Sequence, residues 1–365
     1  MTKAEESRKA AENLLKKIDE LIDRPVRFME VCGTHTVSIF RSGIRQLLPE
    51  KVELVSGPGC PVCVTPNDYM DMAIAYAKQK DIIIATFGDM LKVPGTSSSL
   101  NAMKTAGADI RIVYSPLDAL QIARDNPAKK IVFLGVGFET TAPLSAATIQ
   151  AAGNENINNF FVLAAHKWTN TALEALLNDK DIKVDGFLLP GHVCVITGEE
   201  PFAFVAEKYK KPAVVAGFDA LDILQAVYML AKQVKNKEAK IENAYKRVVK
   251  AEGNIIAKQA IEAVFDKSTP SWRGLGEIPL SGMQINDKYS KYDVLKQIAV
   301  EKEVSKENPA CCCGDVLKGL KKPIDCPLFK KICTPDKPAG ACMVSVEGTC
   351  HAWYKYGQGR YHYGR

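Results

Sequence analysis

Seven short apolar runs punctuate the chain between about residues 52 and 235: VELVSG, DIIIATFGD (81–89), DIRIVYS (109–115), KIVFLGVGFE (130–139), FFVLAAH (160–166), GFLLPGH (186–192) and PAVVAGFD (212–219). Their hydrophobicity is nearly continuous, which suits parallel strands covered on both faces. Helix-like stretches such as NDYMDMAIAYAKQ and LSAATIQAA lie between several of them. The pattern predicts an α/β fold with parallel sheets, in two similar halves that divide near residues 120–140. We expect domains at 1–125, with an N-terminal helix, at 126–240, and at 241–365, where a helical linker leads into a cysteine-rich segment.

Most of these strands end in unusual polar or glycine residues: GPGCPVC, FGDM, GFETT, AAHKW, PGHV and AGFD. Loops at the carboxyl ends of parallel strands converge on one crevice, where ligands bind. Each tail alone reads as a tight turn. Their recurrence at corresponding positions argues for a shared site. Beyond the last strand, a Lys/Glu-rich stretch over about 233–265 predicts a long surface helix. The loop-rich STPSWRGLGEIPLSG (268–282) follows, and residues 310–365 carry few apolar runs.

Composition narrows the function classes. With 48 basic and 42 acidic side chains the net charge is only +6, and no dense basic block stands out, so nucleic-acid binding is not expected. The charged, amphipathic start MTKAEESRKAAENLLKKIDELIDRPV is no secretory signal. No stretch approaches the roughly 18 apolar residues of a membrane span. The expectation is a cytoplasmic protein, where structural disulfides are rare. Yet there are 11 cysteines, seven of them between 311 and 350. In a reducing compartment such crowding favours a metal site or redox chemistry.

Those seven are Cys311, Cys312, Cys313, Cys326, Cys333, Cys342 and Cys350. No C-x-x-C occurs among them, which counts against zinc ribbons, while Pro and Gly between them suit a cluster wrapped by loops. Four ligands would leave three thiols spare. Upstream, MEVCGTHT sets His35 three residues after Cys32, and SGPGCPVCVTP places Cys60 and Cys63 just before a helix beginning near Asn67. Cys60-x-x-Cys63 reads as a redox pair, half of a metal site, or two buried thiols, and a helix N-terminus there favours a lowered thiol pKa. Glu139, His166 and His192 stand at strand ends, as interior hydrogen-bonding groups or as acid/base groups around one crevice. Cys194, within VCVI, reads as core. No phosphate-binding loop is present, and GVGFET is a poor dinucleotide fingerprint.

Taken together, MEVCGTHT, SGPGCPVCVTP, GFETTAP, LLPGHV, VVAGFDALDIL, WRGLGEIPLSG and the cysteine-rich ending resemble the HypD family of iron–sulfur maturation factors for [NiFe]-hydrogenases. The resemblance runs across nearly the whole chain. It implies two α/β domains forming a cleft, a third domain with a [4Fe–4S] cluster, and a scaffold on which the Fe(CN)2CO unit is put together. It further implies a small partner chaperone, HypC, with cyanide received through HypE, itself supplied by HypF, and a chain that is monomeric on its own. By the same resemblance Cys32 is the iron-binding cysteine, and Cys60 and Cys63 are a redox pair facing the cleft. His35, three residues from Cys32, and Glu139 and His192 at converging strand ends are expected to orient or protonate groups near that site. Cys311, Cys326, Cys333 and Cys350 match the cluster ligands, and Cys313 and Cys342 match a dithiol beside the cluster. Spacing alone leaves open which of Cys311, Cys312 and Cys313 is the first ligand. The family's proline pair after His166-Lys167 is replaced here by WTNTAL.

Overall fold

The structure is a computed structural model and describes residues 2–357. Its framework is two parallel sheets. One has the order β2-β1-β7-β8-β9, from Val26–Glu30 (β1), Val52–Ser56 (β2), Gly186–Pro190 (β7), Ala213–Ala216 (β8) and Ile241–Asn243 (β9). The other has the order β4-β3-β5-β6, from Ile82–Thr86 (β3), Ile110–Ile112 (β4), Lys130–Gly137 (β5) and Phe160–His166 (β6). All seven predicted runs are strands.

Period-two alternation explains why those runs are apolar throughout. Ile82, Ile84, Val132 and Leu134 face one buried cluster, while Ile83, Ala85, Ile131 and Phe133 face another across the same sheet. In the first sheet Phe28 and Leu188 point one way and Met29 and Phe187 the other. Every position is therefore covered, as expected for parallel strands between helical layers. The helix Lys3–Leu21 starts with a capping box from Thr2 and Glu5 and packs on the helix Ala220–Asn236 through Ile18 and Leu230.

The halves are interleaved, not consecutive. A boundary at 125/126 falls inside one sheet, since β3 and β4 before it pair with β5 and β6 after it, while β1 and β2 join strands beyond residue 185. Local patterning shows that a segment is a strand but not which apolar edge it pairs with. The expected long helix over 233–265 is also broken. Ala220–Asn236 ends at Lys237 in the left-handed region (φ 55°), β9 follows, and a second helix, Ile255–Val264, begins after Gly253 (φ 67°).

Two short antiparallel pairs complete the fold. Phe265–Ser268 (β10) pairs with Gly282–Ile285 (β13), and Ser271–Trp272 (β11) with Gly276–Glu277 (β12). The loop they carry is stitched to the end of β6, where the Trp168 N–H donates to the Ser281 carbonyl at 2.8 Å. The cysteine-rich segment has little regular structure beyond the helices Cys313–Leu317 and Thr349–Tyr356. It packs against the carboxyl ends of the strands, with Trp353 edge-on to Phe40 at 5.6 Å. Among the described residues no helix is long and apolar enough to cross a membrane.

Candidate functional site

Cys32 stands where β1 passes into the helix Gly33–Arg41, as its N-cap residue. The loop after β2 lies directly against it. The Gly57 N–H donates to the Glu30 carbonyl at 2.8 Å, and the Gly33 N–H to the Gly59 carbonyl at 2.9 Å. A Cβ at residue 59 would fall inside the backbone of Cys32, so the close approach requires glycine there. The Gly-Pro-Gly of the C-x-x-C motif thus serves to bring that loop onto Cys32. Burial, reinforced by the Glu347 carboxylate, pushes the Cys32 thiol up to about 12, against the pull of the His35 and Thr34 backbone N–H groups. Such a thiol stays protonated in water until a metal ion displaces the proton.

Cys32 lines a cavity of about 570 Å³, together with Thr34, Gly59, Phe138, Thr169, His192 and Glu347. All of these but Glu347 follow β1, β2, β5, β6 or β7, so the carboxyl ends of strands from both sheets meet here. His192 stacks on Phe218 at 3.8 Å, and His35 stacks on the same ring at 4.6 Å. His35 is fully buried. Its Nε2 faces two carbonyl oxygens, Gly217 at 2.9 Å and Ala216 at 3.3 Å, so Nε2 carries the proton and Nδ1 is the acceptor. Desolvation lowers its pKa to about 4, which keeps the ring neutral.

Glu139 lies under the same cavity. One carboxylate oxygen accepts from the Thr169 N–H at 2.8 Å and from its hydroxyl at 3.0 Å, while Oε2 is buried with no partner among the described residues. Burial raises this carboxyl to about 7. Glu347 accepts from the Thr34 hydroxyl at 2.7 Å and is also raised by burial. The site therefore offers two carboxyls that hold protons more tightly than usual and a neutral imidazole, the equipment of acid–base chemistry near neutral pH.

The thiols of Cys60 and Cys63 do not line this cavity; Gly59 and Pro61 do. Both cysteines are buried, with sulfurs 2.7 Å apart as free thiols. Cys63 turns inward to Cys342, which in turn meets Cys313 and Cys350. The expected lowering of a thiol pKa by the helix Asn67–Ala77 is not what the surroundings produce at Cys63. Burial and the neighbouring thiols push it well up, while hydrogen bonds from Cys313, Cys350 and Cys63 draw Cys342 well down. A continuous path of sulfur atoms thus leads from the cavity loop into the C-terminal segment.

At the far end of the path Cys311 and Cys313 have sulfurs 3.2 Å apart, beneath Gly340, where a Cβ would lie 2.8 and 2.6 Å from them. The Ala339 N–H donates to the Cys333 sulfur at 3.3 Å, and the Cys350 N–H to the Cys342 sulfur at 3.2 Å. Cys312 and Cys326 face each other nearer the surface. Among the described residues no three His, Cys, Asp or Glu side chains form a ready coordination group for a metal ion. The donor set nevertheless fits an iron–sulfur centre in its chemistry. It is thiol-rich, held by loops, gathered in one buried cluster, and approached by backbone N–H groups that stabilise sulfur-borne charge.

Of the residues singled out in the sequence, Cys32 and His192 line the cavity, while His35 and Glu139 lie buried beside its lining residues. His166 is elsewhere. Its Nε2 meets the Ser145 hydroxyl at 3.1 Å and its ring sits against Phe265. Cys194 is fully buried core. Sequence reading missed Glu347 and Phe218. The signal for Glu347 was slight, a single acidic residue between Cys342 and Cys350.

Residues 9–357 match the family described as HypD, Hydrogenase formation hypA family. The chain is 46% identical over 363 residues to the hydrogenase maturation factor HypD of Rhodobacter capsulatus, covering 96% of each chain. It is 46% identical over 337 residues to that of Escherichia coli, covering 92% of this chain and 90% of the relative. A third relative, the hydrogenase maturation factor HypD2 of Bradyrhizobium diazoefficiens, is 45% identical over 347 residues, covering 93% of this chain and 91% of its own.

Proposed function

The chain belongs to the HypD family of hydrogenase maturation factors, and on that premise we propose that it is a cytoplasmic, monomeric scaffold and redox factor for assembly of the Fe(CN)2CO unit of a [NiFe]-hydrogenase. The observation that carries this reading is Cys32 at the mouth of a helix, opening onto a cavity of about 570 Å³ with His192 and Glu347 on its wall. The iron unit is the cargo. Cys32 anchors it through a thiolate, and a second thiolate comes from a HypC-type partner. Glu347 and His192, with Glu139 and His35 behind them, hold or take up the protons that metal binding and ligand delivery release. The two sheets are the two α/β domains of the scaffold, and the cysteine-rich segment is the third.

Cyanide arrives from HypE, supplied by HypF, on a thiocyanate-like carrier group. Its release as cyanide breaks the carbon–sulfur bond and leaves a thiolate on the carrier, which takes two electrons. Cys60 and Cys63 supply both as they close to a disulfide and give up two protons. Their sulfurs, 2.7 Å apart, need little movement to do so. Cys342, in contact with Cys63, and Cys313, in contact with Cys342, then reopen that disulfide by exchange. Cys311, Cys326, Cys333 and Cys350 would hold a [4Fe–4S] cluster, which would supply single electrons to this path.

The same thiol path also favours a second reading, a cluster-dependent disulfide oxidoreductase acting on protein thiols. Cys32 separates the two, because a reductase has no use for a further cysteine that lines a cavity apart from the Cys60/Cys63 pair. The test is infrared spectroscopy of the chain co-purified with its small partner. Cys32→Ala is expected to lose the metal-bound CO and cyanide bands while the visible absorption of the cluster persists. Unchanged bands would sink the scaffold reading and promote the reductase.

A further inference from the structure

The loop between β11 and β12 delivers a buried guanidinium to the thiol path. Arg273 is 4% exposed. Its backbone N–H donates to the Val64 carbonyl at 2.9 Å, its Nε to the Thr65 carbonyl at 2.7 Å, and its Nη2 to the Pro94 carbonyl at 3.3 Å. Gly274, next to it, lies against Gly314 in the helix that opens with Cys313. The arginine is thus pinned between the loop of the cleft cysteines and the C-terminal segment. It lines a cavity of about 500 Å³ with Cys311, Cys313 and Asn67, and its charge reaches Cys313, Cys311 and Cys63.

Nothing in the acid–base or thiol chemistry above uses this group. A guanidinium stays charged in a protein interior. Among the described residues none of its three hydrogen bonds is to a carboxylate and no ion pair cancels that charge; Glu307, on the exposed lip of the same cavity, is an acidic group facing it. A buried cation acts strongly on its neighbours because little water screens it. Net charge and hydrogen bonding around the sulfurs are what set the potential of an iron–sulfur centre.

We propose that Arg273 is a positioning residue that fixes the reduction potential of the thiol-bound cluster at the junction with the Cys60/Cys63 loop, holding it high enough to take up electrons from a donor. The inference rests on the cluster reading given above. The addition of one electron makes the cluster more negative, and a fixed positive charge beside its ligands favours that state whatever the protonation of the thiols. The carbonyl bonds from Arg273 keep the charge at one distance from the sulfurs.

The experiment is a redox titration of the full chain with dithionite and mediators, read by visible absorption and electron paramagnetic resonance, beside iron and acid-labile sulfide analysis. Arg273→Gln is expected to move the midpoint potential to a lower value, and Arg273→Lys, which keeps the charge but not the fork of hydrogen bonds, to restore most of the shift. A purely structural clasp would give two equally destabilised proteins with an unmoved potential, and that result would overturn the inference. If Arg273→Gln does not retain its cluster, Glu307→Gln at the exposed lip should shift the wild-type potential upward; no upward shift would overturn it equally. A wild-type chain that binds no iron or sulfide under anaerobic reconstitution would remove the cluster reading and this inference with it, whereas a loaded cluster indifferent to residues 273 and 307 would remove the inference alone.

Discussion

Replacing Glu139 by Gln isolates the energetic cost of the buried carboxyl below the cavity. The folded chain holds this group with a pKa of about 7 against an ordinary value of 4.5, because burial outweighs the pull of its hydrogen bonds. Between those two values the folded state keeps a proton that the unfolded chain has released. The Glu139 contribution to stability is therefore fully present below pH 4.5 and is lost as pH rises through 7. At about 1.4 kcal/mol per unit the window sets a ceiling of about 3 kcal/mol, and relaxation around the charge makes about 1–3 kcal/mol the expected loss. Glu139→Gln keeps an acceptor for the Thr169 N–H and hydroxyl but cannot ionise. Urea unfolding followed by tryptophan fluorescence at pH 5 and pH 8 measures the difference. His35 and His166, which burial holds neutral down to about 4 and about 3, make both proteins less stable as pH falls below 6.5. That contribution is common to both proteins and cancels between them. The variant should gain about 1–3 kcal/mol on the wild type between pH 5 and pH 8. Parallel pH profiles would refute the argument that Glu139 is desolvated and protonated in the folded chain. Loss of the CO and cyanide bands in this more stable variant would assign the proton to assembly.

Other expectations follow from single contacts. Gly59→Ala forces a methyl group into the Cys32 backbone and should cost about 1–3 kcal/mol while weakening iron-unit assembly more than cluster content; urea unfolding and infrared spectroscopy of the same sample check both. Ser replacements of Cys333 or Cys350, both buried in the thiol-rich cluster, should abolish the broad visible absorption and loosen the C-terminal segment, as seen by limited proteolysis. Full retention of iron and sulfide in either variant would exclude that residue as a ligand.

How much of this was legible in the chain depends on the range of the cause. The seven apolar runs were readable as strands because burial on both faces leaves a local mark, and the helix beginning at Asn67 was readable for a similar reason. Gly-Pro-Gly beside C-x-x-C, and seven cysteines in forty residues, declared chemistry without a fold. The C-x-x-C spacing left its use open. Tertiary structure decided what no local pattern encodes. The pairing of β1 with β7 interleaved two halves that looked consecutive, since apolar edges far apart in sequence pair as readily as near ones. The turn of the Cys63 thiol from the cavity to Cys342, and the environment that raises one and lowers the other, arose from packing a distant segment onto the loop. Glu347 came to Cys32 across more than three hundred residues, because its carboxylate met the Thr34 hydroxyl in the first turn of the helix after β1. The residue types that the proposed chemistry uses were readable from composition and motif, but their distances and charges belong to contacts made only when the chain is closed.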